Sequence, residues 1–230
     1  MGGGTAPELG RTSLHRGRTE RVCFSSMSTP QRPSGGRIKG APLRAMLEHY
    51  AHLRSVEQVR SVLATLSEDE LRATCPLPTD PGFGILASGW YSAIGAGKVI
   101  ERLWEVIPEH ERDAFTVQVA HGVMAKTLSG AHKAVFRVVG SPSLMQRYPM
   151  VFWKRQYDSG DVLIETVGKT VQRHTYTNWM GHHPIICKLT FECVPVMFKA
   201  MGMRSPEIEI ERCAGDGVSS DCSAIVRWDG

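Results

Sequence analysis

Residues 162–179 read VLIETVGKTVQRHTYTNW, and this stretch decides the class of fold. Side chains alternate between two faces over residues 162–167, and residues 171–179 are rich in β-branched and aromatic side chains, a composition typical of strands. The Gly-Lys pair at 168–169 predicts a tight turn between the two runs. The sequence therefore predicts an antiparallel hairpin in the C-terminal half of the chain.

The residues that follow the hairpin predict one helix and two more strands. Residues 184–201 return to a helical spacing of apolar residues, with Pro195 either kinking that helix or marking its start. Residues 207–212 and 223–228 each have the composition of a strand, and a glycine-containing loop joins them. The C-terminal half is thus predicted to contain two strands, a helix and two strands.

The N-terminal half is predicted to be helical. Apolar residues recur at three-to-four spacing over residues 43–66, and Ser67 with Glu70 has the pattern of a capping box that begins another short helix. Residues 88–91 (SGWY) and the Pro-Glu pair at 108–109 introduce two further helices. Helices followed by antiparallel strands predict an α+β domain, with a helical N-terminal part packed on a mainly antiparallel sheet.

Positive charge is concentrated at the N-terminus of a chain whose formal net charge is +4. The first 44 residues contain eight Arg and Lys residues but two Glu residues, so the remainder is slightly acidic. Residues 1–36 are rich in Gly, Ser, Pro and Arg and lack periodicity, which predicts a disordered basic tail, with residues 37–230 as a single domain. Met27 is an alternative start of translation to Met1. Because the tail lacks interleaved aromatic residues, a nucleic acid is not the expected partner.

The composition also limits where the protein works. No run approaches the roughly 18 consecutive apolar residues of a membrane helix, and no apolar segment follows the N-terminal charges as in a secretion signal. We therefore expect a cytoplasmic protein without a transmembrane segment. In that reducing compartment, the six cysteines favour free thiols or metal ligation over disulfides.

No recognised catalytic motif is present, and no catalytic residue is predicted. Residues 95–98 (GAGK) are partly similar to a phosphate-binding loop, but Ser92 stands where that loop requires glycine and Val99 where it requires Ser or Thr. Small residues that allow close helix packing are the alternative explanation. His174 is interpreted as a surface histidine or a core histidine with satisfied hydrogen bonds. We therefore expect neither a nucleotide cofactor nor an enzyme.

Thiol and imidazole side chains are concentrated near the C-terminus. The residues concerned are His182, His183, Cys187, Cys193, Cys213 and Cys222. Thiolates with imidazole or carboxylate neighbours are the ligands of tetrahedral zinc sites. On a strand, alternation places Glu209, Glu211 and Cys213 on one face, so that a carboxylate lies beside a thiol. The alternative is that a buried cysteine acts as a small hydrophobic residue, as expected for Cys193.

The C-terminal part resembles a known family. Cys187, the strand that ends at Cys213 and the strand that begins at Cys222 are similar to the closing helix, strand, loop and strand of the 4-vinyl reductase domain family. Residues 36–40 (GRIKG), residues 88–91 (SGWY) and the same C-terminus are also similar to an uncharacterised myxobacterial paralogous family. The resemblance implies the fold of the sensor domains of phenol-responsive transcription activators.

The same resemblance implies a structural zinc site. In the phenol sensors, three cysteines and a glutamate hold zinc beside a buried pocket for an aromatic ligand. By position, Cys187, Cys213 and Cys222 would supply the thiolates, and either Glu209 or Glu211 the carboxylate. The expected cofactor is therefore a structural zinc ion, with no nucleotide cofactor.

Aromatic and thioether side chains are the candidate ligand-binding residues, because adaptable apolar side chains suit small hydrophobic molecules. They are Trp90, Tyr91, Trp104, Phe152, Trp153, Trp179 and Met197. We expect a binding or sensory domain for a hydrophobic or aromatic ligand that acts through a homodimer or a signalling partner protein. The alternatives are a non-catalytic interaction or scaffold protein with the same fold and a reductase-type enzyme.

Overall fold

The computed structural model describes Met1 and residues 35–128, 140–214 and 221–230. All the elements of the fold belong to one unit, Pro33–Gly230. Nearly all of the predicted disordered tail, residues 1–36, lies outside the described residues. Gly35 and Gly36, at the end of that predicted tail, are buried. The folded unit therefore includes residues before the predicted boundary at residue 37.

Helices make up most of the described N-terminal half, as predicted. They are α1 (Gly40–Leu53), α2 (Val56–Leu63), α3 (Glu68–Thr74), α4 (Ala93–Glu105), α5 (Arg112–Thr127), α6 (Pro142–Arg147) and α7 (Pro149–Trp153). Ser67 and Glu70 cap α3 reciprocally, so the predicted capping box is confirmed. Within the described ranges, no helix combines the length and the apolar character needed to cross a membrane.

Two short strands that the sequence pattern did not predict precede helices α1 and α4. Strand β1 (Arg37–Lys39) pairs antiparallel with β2 (Trp90–Ser92). Residues 88–91, predicted to introduce a helix, do precede helix α4, which begins at Ala93, and Trp90 and Tyr91 themselves belong to β2. Strands of three residues are too short to show a period of two, and their partners are distant in sequence.

The C-terminal half contains the main sheet. Its strands are β3 (Asp161–Gly168), β4 (Val171–Thr177), β5 (Arg204–Arg212) and β6 (Cys222–Asp229), with α8 (Pro184–Ala200) between β4 and β5 in the chain. Within the described residues, these four strands form an antiparallel sheet in the order β3-β4-β6-β5. The α+β class, the hairpin and the later helix and strands are thus confirmed.

Helix α8 packs on the inner face of this sheet. Phe191 of α8 contacts Tyr176 of β4 edge-on, with ring centroids 5.1 Å apart, and Phe198 lies 6.1 Å from the ring of His174. Pro195 lies inside α8 and does not mark its start, so the carbonyl of Phe191 lacks its intrahelical partner. This packing brings the first turn of α8 to the place where the end of β5 meets the start of β6.

The small residues of α4 serve packing, as the alternative to a phosphate-binding loop predicts. A Cβ atom on Gly95 would lie 2.5 Å from the side chain of Thr74, and one on Gly97 would lie 3.0–3.1 Å from the ring of His183. Both glycines are buried inside the helix. Lys98 forms an ion pair with Glu70 at 2.5 Å. Glycine therefore lets α4 approach both α3 and the segment that precedes α8.

His174 is a buried histidine whose ring nitrogens have no hydrogen-bond partner among the described residues. Burial lowers its pKa to about 4, because the charged imidazolium cannot be solvated in the core. The interpretation of this residue as a surface histidine or a core histidine with satisfied hydrogen bonds is therefore wrong. His174 is buried, and its ring nitrogens are not hydrogen-bonded to described residues. An unpaired buried polar group costs about 1–3 kcal/mol, which the surrounding packing must offset.

The free energy of unfolding is predicted to depend on pH through His174. Between pH 6.5 and about 4, the unfolded chain binds a proton at this imidazole that the folded chain does not. Stability should therefore be fully present above pH 6.5 and fall by up to roughly 3 kcal/mol as the pH decreases toward 4. Urea denaturation at several pH values measures this in the wild type and in His174→Leu, which should lack this component.

The matched control is His110→Leu, since His110 is exposed. That variant should keep the pH dependence of the wild type. Equal pH dependence in the wild type and in His174→Leu would contradict the assignment.

Candidate metal centre

Four side chains with metal-binding atoms meet at one end of the main sheet. They are His182, Cys187, Cys213 and Cys222, and their ligand atoms all lie within 4.8 Å of one another. Cys187 and Cys222 are 1% exposed, and the other two residues are half-buried. The cluster is thus closed toward the core and accessible from one side.

Each member of the cluster comes from a different element. Cys213 follows the last residue of β5 and Cys222 begins β6; the two strands pair up to Arg212 opposite Ser223, so their ends are adjacent. Cys187 lies in the first turn of α8, where its N–H donates to the carbonyl of His183 at 2.8 Å. The cluster therefore joins parts of the chain that are far apart in sequence.

His182 enters from the turn between β4 and α8. The N–H of His182 donates to the carbonyl of Trp179 at 3.3 Å, and the two rings meet edge-on with centroids 5.4 Å apart. Nε2 of His182 lies 3.5 Å from Sγ of Cys213, within hydrogen-bonding distance for sulfur. The turn thus directs the imidazole at the thiols.

The thiols influence one another strongly. The pKa of Cys222 is lowered, because Cys187 donates a hydrogen bond to its sulfur and His182 and the N–H of Ala214, at 3.3 Å, add to this effect. The pKa of Cys187 is raised, first because its proton is held by Cys222 and also because the thiol is buried. The cluster therefore favours one thiolate, while several thiolates so close together would need a cation to offset their charge.

The donor set is suited to a tetrahedral ion. Three thiolates and one imidazole form one of the ligand combinations of closed, structural metal centres. Bond lengths of about 2.0–2.3 Å in such centres require ligand atoms roughly 3.3–3.8 Å apart. The largest separation here is 4.8 Å, so closing the cluster on an ion needs a movement of about 1 Å.

The two predicted carboxylate ligands lie elsewhere. Glu211 forms an ion pair with Arg173 of β4 at 3.1 Å and accepts a hydrogen bond from Ser223 at 3.2 Å. Glu209 pairs with Arg227 of β6 at 2.7 Å. The structure brings the three predicted cysteines together, but the fourth ligand atom beside them belongs to His182. Its signal in the sequence was its place among the C-terminal thiols and imidazoles, which also included His183.

The predicted ligand-binding residues do not surround one cavity. Trp90 is half-buried beneath Lys39, whose Nζ is 4.4 Å from the ring centroid, and the hydroxyl of Tyr91 accepts a hydrogen bond from the N–H of Leu86 at 2.7 Å. Trp104 lines a cavity of about 10 Å³. Phe152 and Met197 pack beside a separate small core around Phe198, Met201 and Val226. Trp153 and Trp179 belong to a third group.

That third group is a packed aromatic cluster. It consists of Trp153, Tyr157, Tyr176 and Trp179, with ring centroids 4.3–6.2 Å apart. All four residues are buried. Contact geometries of this kind are those of packed aromatic pairs in cores. The aromatic side chains therefore fill the described interior beside α8 instead of lining a pocket there.

Comparisons with known proteins identify the fold. No family model and no curated protein matches the chain. Among solved structures, the chain is similar to the Fe(II) unliganded H-NOX protein from K. algicida, with 11% identity, a TM-score of 0.61 and coverage of 84% of this chain and 97% of that one. It is also similar to an H-NOX protein from S. oneidensis in the Fe(II)NO ligation state, with 10% identity, a TM-score of 0.58 and coverage of 84% and 100%.

The description of a third similar structure names heme. It is a structure described as modulating heme redox potential through protein-induced porphyrin distortion, with 13% identity, a TM-score of 0.52 and coverage of 83% of this chain and 99% of that one. At this level of identity, the likeness shows the α+β fold of H-NOX proteins and not their function.

These neighbours correct two expectations. The resemblance to the 4-vinyl reductase domain family and to the myxobacterial family is wrong, because the neighbours that share the fold over more than four-fifths of the chain are H-NOX proteins. The expectation of a structural zinc ion as the sole cofactor is also wrong as an inference about this fold. The descriptions of the neighbours name Fe(II) and heme, and none of those cited names zinc.

The described residues of this chain do not fit a heme. Pockets for ligands of drug size are roughly 300 Å³ or larger. The cavity beside Trp104 and Phe115 has about 10 Å³, and the larger one, of about 460 Å³, is a surface groove lined by exposed residues such as His52, Arg60 and Asp80. The aromatic cluster occupies the space beside α8. His174 is the fully buried histidine of the described ranges, and it packs against Phe198. A porphyrin beside α8 would have to displace these side chains.

We predict that the purified protein does not bind heme stoichiometrically. Titration with hemin should produce neither the sharp Soret band of a protein-ligated heme nor a rise in the midpoint of thermal unfolding, because the described interior is already packed. The H-NOX protein from K. algicida is the positive control for the assay. Saturation at one heme per chain with a stabilising shift would contradict the prediction.

Proposed function

We propose that this chain is a regulatory or sensory domain that binds one thiophilic metal ion through Cys187, Cys213, Cys222 and His182. One observation carries the proposal: four ligand atoms from residues 182–187 and from the adjoining ends of β5 and β6 lie within 4.8 Å of one another. The domain has no output element of its own among the described residues and acts through a partner protein or a second copy of itself.

The chemistry of the donors selects the kind of ion. Thiolate and imidazole ligands favour soft or borderline d-block ions over Mg²⁺ and Ca²⁺, which prefer oxygen ligands. Two of the thiols are buried beside each other. A bound cation would offset the electrostatic repulsion between their deprotonated, negatively charged sulfur atoms. Elemental analysis of the purified protein identifies the ion.

A closed set of four protein ligands supports regulation and not catalysis. Catalytic metal centres keep one coordination position open for water or substrate, whereas here the side chains themselves supply four ligands. His182 and Cys213 are half-buried, so the ion can be gained, lost or displaced from the solvent side. Gain or loss of the ion would change how these segments are held together, which is the property a sensor needs.

The fold agrees with a sensory role. The S. oneidensis neighbour is described with Fe(II)NO ligation, so this fold binds a small ligand in that protein. We carry over only the general property of responding to a small ligand. The hydrophobic or aromatic ligand expected from the sequence is not part of the proposal, because its seven candidate residues lie in separate places.

Metal stoichiometry tests the proposal. Wild-type protein should bind one Co²⁺ ion per chain with a thiolate-to-metal charge-transfer absorption. Cys213→Ser and Cys222→Ser should weaken binding by more than the roughly 10- to 100-fold that loss of a supporting contact costs. Glu209→Gln and Glu211→Gln are the matched controls and should bind as the wild type does, because both carboxylates are held in ion pairs away from the thiols.

Metal binding should also stabilise the fold. Because an unfolded chain does not hold these segments together, an ion at a concentration 1,000 times its Kd should raise the free energy of unfolding by about 4 kcal/mol. Urea denaturation with Co²⁺ and with a chelator measures the difference. The proposal is contradicted if the wild type binds no metal, or if the glutamate variants lose as much metal affinity as the cysteine variants.

A further inference from the structure

The turn that supplies His182 also holds the first residues of the folded unit. Gly181, next to His182, has a φ of +72°. A Cβ atom at Gly181 would collide with the carbonyl oxygen of Gly35 and would lie 2.7 Å from the Cβ of Ala93. The backbone of this turn is thus pressed against both the beginning of the unit and the start of α4.

A second close contact lies beside the first. A Cβ atom at Gly36, whose φ is also +72°, would collide with the carbonyl oxygen of Met180. The hydroxyl of Ser159 donates to that same carbonyl at 3.3 Å. The carbonyl of Gly36 in turn accepts from the N–H of Ala93 at 3.1 Å. Gly35 and Gly36 therefore interlock with Met180 and Gly181, and we call this four-residue contact the glycine clasp.

The residues after the clasp hold β1 in place by hydrogen bonds. The N–H of Arg37 donates to the carboxylate of Asp158 at 2.6 Å, and the N–H of Lys39 donates to the carbonyl of Gln156 at 2.7 Å. The carbonyl of Arg37 accepts from the N–H of Asp158 at 3.1 Å. Exchange of the amide hydrogens of Arg37, Lys39 and Ala93 with solvent therefore reports whether the clasp is closed.

We propose that the metal centre controls the glycine clasp. This inference rests on the proposed metal centre. Closing the four ligands on an ion requires a movement of about 1 Å within the cluster, and His182, one of the four, is the neighbour of Gly181 in the chain. Because Gly35 and Ala93 fill the space where a Cβ atom of Gly181 would stand, a movement of this turn toward them is transmitted to Gly35 and Gly36. Occupancy of the metal centre thus controls how well ordered residues 35–39 are.

Hydrogen exchange of the full chain tests the coupling. Co²⁺-loaded protein is compared with chelator-treated protein, with elemental analysis of both. The amide hydrogens of Arg37, Lys39 and Ala93 should exchange at least about threefold more slowly in the Co²⁺-loaded protein. The amides of α2, which contains none of the ligands, should change less.

Two glycine variants separate the clasp from the centre. Gly181→Ala retains all four ligand residues but opens the clasp, so at saturating Co²⁺ it should still bind the ion through the three thiolates while losing the protection at Arg37 and Lys39. Gly202→Ala is the matched control: Gly202 also has positive φ, +92°, but a Cβ atom there meets nothing within 4 Å. It should bind Co²⁺ and keep the protection. Ser159→Ala, which removes only the hydrogen bond to Met180, replaces Gly181→Ala should that variant fail to fold.

The outcomes distinguish the two proposals. Co²⁺ bound by the wild type with unchanged exchange at Arg37, Lys39 and Ala93 overturns the coupling and leaves the metal centre standing. Protection that survives in both Gly181→Ala and Ser159→Ala also overturns it. No Co²⁺ bound by the wild type overturns the metal centre, and the coupling with it.

Discussion

The contact between α8 and the inner face of the main sheet is the constraint on which the other features depend. Phe191 and Phe198 of α8 are at most 1% exposed and pack against the rings of Tyr176 and His174. Burying such an aromatic side chain contributes about 1.5–3 kcal/mol, so this contact can hold the helix in one position. Once α8 is so placed, Cys187 in its first turn lies beside Cys222 of β6.

The packing of α8 on the sheet also offsets the cost of burying polar side chains in the core. The inner face of β4 carries Gln172, His174 and Tyr176, all buried. Gln172 donates to the carbonyl of Pro142, but its carbonyl oxygen and both nitrogens of His174 have no partner among the described residues. Apolar packing from α8 therefore has to offset the cost of these groups. A strand with this composition is stable here because a long apolar helix covers it.

The fold and the chemistry of the site are separable in this protein. The fold is similar to that of two H-NOX proteins whose descriptions name Fe(II). In this chain the described interior beside α8 is filled with aromatic rings, and the cluster of metal-binding atoms lies at the end of the sheet. A similar arrangement of helices and strands can thus carry a different site, since the side chains and not the backbone path decide what is bound.

Much of the local structure follows from the sequence alone. The hairpin around residues 168–169, the capping box at Ser67 and the helix that begins at Pro184 were all predictable, because caps, turns and hydrophobic periods act between residues close in sequence. The same holds for the α+β class. The short strands β1 and β2 were not predictable, because three extended residues become a strand only when a distant partner pairs with them.

The candidate site divides in the same way. The sequence by itself determined that thiols and imidazoles are concentrated near the C-terminus, and it singled out Cys187, Cys213 and Cys222. It placed Glu209 and Glu211 on the face of Cys213, but Arg227 of β6 and Arg173 of β4 hold those carboxylates. Only the tertiary structure decided that His182 is the fourth member, because the turn at Gly181 depends on contacts with Gly35 and Ala93, far away in the chain.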